Sequence, residues 1–363
     1  MNYPSPKGEK SRLIVGVDAE QPQHNGTGDM WPLTWGSDDN IYAAAGDNCG
    51  IPKATFTPMN LFAVRGAPGG SIHIEEVHHL PIDPKLYCRG ILVDANYGIK
   101  PAGLLSLDGA LYMSVENINY GDNPRFNRQH NLNGWIISSH DNGRTWDTDA
   151  SFQTFFTGRT ASAHFVQFGR NYAGARDGFV YAHFPCGLDG QSYWCNNDCI
   201  LIGRVPRDRL LDRRAWEFLV DFDAAGAPRW DSDDLLAIPV FGYRGFTGEN
   251  HVAYNAGLRR YVMGNYAFYD DQGRPRPYHQ PPPCNYKSQL TVYEAPEPWG
   301  PWRVFWQVDE WGNGNYQPVF PTKWMSANGH DLTMVCSGNG PHYSFTTQQL
   351  HLRIAGAESS GRT

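Results

Sequence analysis

Residues 29–50 read DMWPLTWGSDDNIYAAAGDNCG. Two short apolar runs, Trp31–Trp35 and Ile41–Ala45, flank Gly36-Ser37-Asp38-Asp39-Asn40, a spacer made of turn formers. That pattern predicts a β-hairpin. Its open end carries Asp29 just before the first strand and Asp47 just after the second. Strand entry and strand exit lie at the same end of a hairpin. Two carboxylates distant in sequence are therefore expected at one edge of a sheet.

The hairpin recurs four times, at Pro101–Glu116, Ala163–Phe184, Asn250–Phe268 and Phe320–Ser337. The first strands fall roughly 70 residues apart, a spacing that points to a repeat architecture. Further strand-like runs follow each hairpin: Met59–Val64 and Ile72–Val77, then Gly134–Ser139 and a short run at Trp146. Next come Ile200–Val205 and Trp216–Phe222, then Gln289–Tyr293 and Trp302–Val308. The last unit has only Gln349–Ile354, and Arg12–Val17 from the N-terminus is expected to supply its missing outer strand. Four strands per unit predict an all-β, five-bladed β-propeller, its ring closed by the N-terminal strand joining the last blade. A single propeller domain is expected over residues 11–355, with tails at 1–10 and 356–363. Helical periodicity is weak, and Arg207–Trp216 is the place for one short helical turn.

Composition agrees. Aromatics make up 13% and charged residues 18% of the 363, with 39 glycines and 26 prolines, which suits a turn-rich β protein with an aromatic surface. The net charge of −7 argues against a nucleic-acid partner, and no apolar run is long enough to span a bilayer. No apolar leader segment opens the chain, so it is expected to be cytoplasmic, or secreted with its leader removed. Seven cysteines, an odd number, leave at least one outside any intramolecular disulfide. Cys186, Cys195 and Cys199 with His183 admit a metal or a loop-stapling disulfide, but their spacing is not that of a structural zinc site. No metal, phosphate-binding or cofactor motif is present, and no cofactor is expected.

Alternating strands put the connections between strands one and two on one face and those between two and three on the other. The first set is short. The second is mostly long: Gly46–Pro58, Asn117–Asn133, Pro185–Asp198, Tyr269–Lys287 and Gly338–Thr347. Long loops gathered on a rigid ring mark the functional face. Asp29 and Asp47 fall there, while Asp38 and Asp39 fall opposite. Ser139-His140-Asp141-Asn142-Gly143-Arg144-Thr145-Trp146 matches the Asp-box of sialidase-type propellers, and its aspartate is expected to hold a turn on the far face.

Glycoside cleavage uses one carboxylic acid to protonate the leaving oxygen and one carboxylate as base or nucleophile. Asp29 and Asp47 are the candidate pair, with Glu116 and Glu249 in reserve at equivalent rim positions. Trp31, Asn48, Lys100, Glu116, Asn117, His164, Glu249, Asn250, His251, Asn265, Tyr266 and Gln317 form the candidate substrate-binding rim. Amides and rings of this kind suit sugar hydroxyls and C–H faces. A carbohydrate-binding propeller without catalysis is a second reading. A polysaccharide lyase using His164 or His251 with Tyr266 is a third, and it requires a basic patch that only Lys100, Arg159 and Arg244 could supply.

The pattern D-x-W-P-x-T-W-x(3)-D-N-x-Y-x(3)-G-D over Asp29–Asp47 resembles a propeller group that includes the endo-D-arabinanases of glycoside hydrolase family 183. FVQFGRNYAGARDGFVYAHF, GRVPRDRLLDRRAWEF and YEAPEPWGPW extend the resemblance, which runs from about residue 24 to 354. It implies hydrolysis of D-arabinan or arabino-oligosaccharides, with the family's paired catalytic aspartates at Asp29 and Asp47. The expectation is an inverting mechanism with Asp47 as the acid, since the second-strand exit is the more enclosed position. The partner is then a poly- or oligosaccharide; oligomeric state is left open.

Overall fold

The computed structural model describes residues 8–26, 28–46, 59–79, 97–119, 129–147, 155–270, 272–275, 287–312, 314–338 and 344–356. Its strands form five antiparallel sheets. Blade 1 is Met30–Trp35, Ile41–Ala45, Asn60–Arg65 and His73–His79. Blade 2 runs Tyr97–Leu107, Ala110–Asn119, His130–Ser139 and Phe156–Thr157. Blade 4 is His251–Asn255, Arg260–Tyr269, Lys287–Ala295 and Arg303–Val308. Blade 5 is Tyr316–Val319, Asp331–Ser337 and Thr346–Ile354, completed by Ile14–Ala19. Val17 pairs with Leu352 and Asp18 with His351, so the N-terminal strand closes the ring as expected. The inner strands of consecutive blades pack against one another all the way round, the fifth against the first. The fold is a five-bladed β-propeller.

Burial explains why each strand reads as it does. Ile41–Ala45 is buried at every position because blades cover both its faces, so the run is continuously apolar. His73–His79 is the outermost strand and is buried only in part, so its sequence HIEEVHH is mostly polar. Close approach between blades demands glycine: a Cβ on Gly134 would sit 2.1 Å from the Ala161 carbonyl oxygen, and one on Gly103 2.6 Å from that of Ala163.

Proline marks the inner edge. Pro32, Pro101 and Pro318 all lie in innermost strands, and each of those strands carries a register shift, at Met30/Leu33, Pro101/Gly103 and Tyr316/Val319. An innermost strand has a pairing partner on one side only, so a residue without an N–H costs it no ladder bond there. The bulges re-aim the neighbouring side chains at the rim.

Several boundaries differ from expectation. The inner strand of blade 5 is Tyr316–Val319 rather than one beginning at Phe320, because Pro321 opens a 3₁₀ turn at Thr322–Trp324 instead of continuing the strand. Among the described residues the outer edge of blade 2 is Phe156–Thr157, and near Trp146 Asp147 bridges Ser138. Arg207–Trp216 holds two 3₁₀ turns, Arg207–Arg209 and Arg213–Ala215, rather than one. Blade 3 (His164–Phe165, Phe179–Cys186, Asn197–Pro206, Glu217–Phe222) adds a fifth strand, Pro228–Asp231. Phe241–Thr247 pairs with the first half of Asn197–Pro206, and Ser192–Tyr193 crosses to pair with blade 2.

The Ser139–Trp146 turn is held as its residue types require. Asp141 accepts from the Thr145 amide at 2.9 Å and hydroxyl at 2.7 Å, and from the Ser139 hydroxyl at 2.8 Å. The Thr145 contacts hold its carboxyl down to about 2. Asn142 and Gly143 take positive φ. Asp141→Ala should cost about 1–2 kcal/mol through these lost bonds, lowering Tm by a few degrees and leaving activity intact; a loss of activity at unchanged Tm would contradict this purely structural role.

Candidate active site

The rim begins with a strained backbone. Met30 and Trp31 take φ of 71° and 59°, the left-handed region where residues of this size rarely sit. The Trp31 and Gly46 amides both donate to the Asp29 carbonyl oxygen, at 3.0 and 3.1 Å. Strain of this kind persists only where the surroundings over-determine it, and it clusters at functional sites. Here it fixes Asp29 at the mouth of blade 1, 5% exposed.

Among the described residues, Lys100, Tyr316 and Gly46 act on the Asp29 carboxylate. Lys100 supplies positive charge, the Tyr316 hydroxyl donates to Oδ2 at 3.0 Å, and the Gly46 amide contributes a backbone hydrogen bond. Burial outweighs them and raises the carboxyl from 3.8 to about 6. Lys100 lies directly opposite Glu116 in blade 2 and donates to the Gly46 carbonyl oxygen. Burial lowers its ammonium to about 8, against the attraction of Asp29 and Glu116. Asp47 and Asn48 lie outside the described residues; Asp47 follows directly on Gly46, the residue that touches Asp29.

Lys100 connects Asp29 to a second pair of carboxyls. Glu116 and Glu249 are both fully buried. Burial raises Glu116 to about 7, opposed by nearby Glu249, Ser162 and Lys100. Glu249 is raised well above the usual range, first by burial and then by Glu116. Gln317 donates to Glu249 Oε2 from a backbone at φ 49°, and the Ser162 hydroxyl donates to Oε1 at 3.4 Å. Ser162 also meets His164 Nε2 at 2.8 Å. Two adjacent carboxyls cut off from water cannot both ionise cheaply, so the pair retains a proton near neutrality.

The other rim candidates divide. His164 and His251 stand edge-to-face, 5.1 Å between centroids, and burial keeps both neutral, His251 down at about 3. Asn250 and Asn265 bond each other at 3.1 Å and brace the backbone of the strand entry. Tyr266 donates to the Trp194 carbonyl oxygen at 3.3 Å, and Asn117 to Asn133 at 3.3 Å. Trp31 departs from expectation. Its ring offers no face to a ligand: it is fully enclosed between Phe62 and Phe345, its N–H spent on the Ser344 carbonyl oxygen at 2.9 Å. The left-handed backbone at Trp31 turns that ring into the seam between blades 1 and 5.

Two contributors escaped sequence reasoning. Tyr316 lies in what read as a connection before blade 5, and Ser162 lies one residue ahead of the hairpin that was recognised. The usable signal was their position beside Gln317 and His164. Arg159 is bound to the carbonyl oxygens of Leu235 and Ala237, at 3.2 and 2.9 Å, and Arg244 is exposed. His183 turns Nε2 to the Pro298 carbonyl oxygen at 2.9 Å, and no cluster of three metal-binding side chains exists among the described residues.

No protein-family model matches the sequence, and no curated protein matches it. Solved structures do match. The RS223 β-xylosidase superposes with a TM-score of 0.51 over 92% of this chain and 94% of its own, at 10% identity. A GH43 enzyme from Xanthomonas citri, solved with xylotriose, gives 0.50 over 92% and 91%, at 11% identity. At such identities the likeness is one of fold: this chain has the five-bladed architecture that these glycoside hydrolases share.

Proposed function

We propose that the protein is a glycoside hydrolase that cleaves furanosidic linkages, with D-arabinan or its oligosaccharides as substrate. The carrying observation is Asp29: a carboxyl at the mouth of the central axis, fixed by strained backbone and raised by burial to about 6. A group of this kind is half protonated where glycosidases operate and can donate to a leaving oxygen. Asp47, next in the chain to Gly46, is its partner. Although the sequence suggested Asp47 as the acid, the raised Asp29 favours Asp29 for the proton and Asp47 for activation of water.

The surroundings support a polyhydroxylated ligand. Buried side-chain atoms without a hydrogen-bond partner gather at the same strand ends: both Glu116 oxygens, Asn117 Oδ1, Asn250 Oδ1, His251 Nε2 and Gln317 Oε1. Sugar hydroxyls, which both donate and accept, can satisfy such a mixed set. The fold likeness to a β-xylosidase and to an enzyme solved with xylotriose points the same way. The family 183 resemblance over Asp29–Asp47 narrows the sugar to arabinofuranose.

Incubation with D-arabinan, L-arabinan, galactofuranan and xylan, followed by product chromatography, tests the reading. D-arabinan is expected to yield reducing oligosaccharides, and the first-formed anomer, seen by proton NMR, is expected to be inverted. Binding without product on every polysaccharide would replace the hydrolase with a carbohydrate-binding propeller. An unsaturated, ultraviolet-absorbing product would replace it with a lyase.

A further inference from the structure

Cys186 ends the second strand of blade 3, and Cys199 stands directly opposite it on the third. Their sulfurs are 3.6 Å apart and both residues are buried. Directly opposed residues of antiparallel strands have Cα atoms about 4.5–5.5 Å apart, inside the range of about 4.4–6.8 Å that a disulfide spans. Side-chain rotation alone can bring the two sulfurs to bonding distance. The two sulfurs share a contact in which either thiol can donate, and the Cys199 thiol also reaches the Cys186 carbonyl oxygen at 3.5 Å.

The segment between the two cysteines, Gly187–Asp198, is part of the wall of the candidate site. Ser192 and Tyr193 pair with Asn131 and His130 of blade 2. Trp194 packs on Phe268 and edge-on to Tyr316, at 5.9 and 5.4 Å between centroids, and its carbonyl oxygen receives the Tyr266 hydroxyl. Asn196 donates to the carbonyl oxygens of Gly245 and Phe268 at 2.7 and 2.8 Å. Tyr316, against which Trp194 rests, is the residue that donates to Asp29.

We propose that Cys186 and Cys199 are a reversible thiol–disulfide site that clamps the two feet of this loop. With hydrogen peroxide as oxidant, one of the two cysteines attacks a peroxide oxygen as its thiolate and releases hydroxide, leaving a sulfenic acid. The other cysteine's sulfur then attacks the sulfenic sulfur, and water leaves carrying that second thiol's proton. Two thiols lose two electrons in all, and one peroxide becomes two waters. A dithiol reductant reverses the bond by exchange. Oxidation closes a short loop already in its native geometry, so it stabilises without distortion.

The test treats the full-length protein with peroxide, then denatures and alkylates it. Tryptic cleavage after Arg176 and Arg204 leaves Cys186, Cys195 and Cys199 on one peptide. After oxidation that peptide is expected to be two hydrogens lighter and to be alkylated at Cys195 alone. The Tm is expected to rise by about 4 °C, to return with dithiothreitol, and to be unmoved by peroxide in Cys186→Ala but not in Cys195→Ala. Should the Cys186 variant fail to fold, the mapping on the native chain decides by itself. Alkylation of both Cys186 and Cys199 after peroxide, a bond to Cys195, or accumulation of sulfinic acid at either cysteine would each overturn the proposal. None of these readouts depends on the substrate.

Discussion

Asp29→Asn is expected to lower kcat/KM on D-arabinan by about 10²–10⁴-fold, measured as reducing ends released, while leaving the propeller folded. Asparagine keeps the size of the side chain and can still accept the Tyr316 hydroxyl, which donates to Asp29 at 3.0 Å. The stability change carries a sign that separates chemistry from folding. The Asp29 carboxyl is raised in the folded state from 3.8 to about 6. Its contribution to stability is fully present below pH 3.8 and is lost as pH rises through about 6. Above pH 6 the wild type bears the cost of an ionised, buried carboxylate that the variant lacks. Lys100 loses its counter-charge in the variant, which offsets part of the gain. The net expectation is a variant at least as stable as wild type at pH 7.5, by about 1 kcal/mol in urea melts. Near-normal turnover would remove Asp29 from the catalytic role, and a marked loss of stability would mean that its ionised carboxylate stabilises the fold.

Glu116→Gln is expected to stabilise the protein at alkaline pH. Glu116 moves from 4.5 to about 7 on folding, first through burial. The stability linked to that carboxyl is present below pH 4.5 and lost as pH rises through about 7. A glutamine is neutral throughout, and its amide can donate to Glu249 where two carboxyls now adjoin. The variant should come within about 1 kcal/mol of wild type at pH 5 and exceed it at pH 8 by about 3 kcal/mol, read from urea midpoints at the two values. Equal stability of both proteins at pH 8 would show that Glu116 ionises in the fold without penalty. A gain of stability on removing a natural charge is what a site shaped for function rather than rigidity yields.

Legibility in the sequence followed the range of the interactions involved. The blade hairpins were readable because a turn needs Gly, Asn or Asp locally and a strand buried on both faces needs a continuous apolar run. Leu107-Asp108-Gly109 and Ile41–Ala45 carry those signals within a few residues. Closure by the N-terminal strand was readable too, since the last blade lacked an outer strand and Arg12–Val17 was left over. The inner strand of blade 5 was misplaced because Pro318 suppresses the usual strand signal. Proline is tolerated there only because that edge faces the axis and bonds no neighbour. Trp31 illustrates the opposite failure. Its place beside Asp29 suggested a stacking platform, but a left-handed turn of the backbone, invisible in residue types, sends the ring between blades.

The stretch at residues 29–46 shows where the division falls. Residue types alone determine that it is a hairpin, that it opens a fivefold series, and that an aspartate stands at its mouth. Those features arise from turn chemistry and burial periodicity, which act over a few residues at a time. Tertiary structure alone decides what surrounds Asp29, Lys100 from blade 2 and Tyr316 from blade 5, and it joins Glu116 to Glu249 next to that same lysine. The protonation of these groups depends on desolvation and on charges brought together by closing the ring. No local pattern encodes either, because each partner is separated from Asp29 by at least one blade boundary.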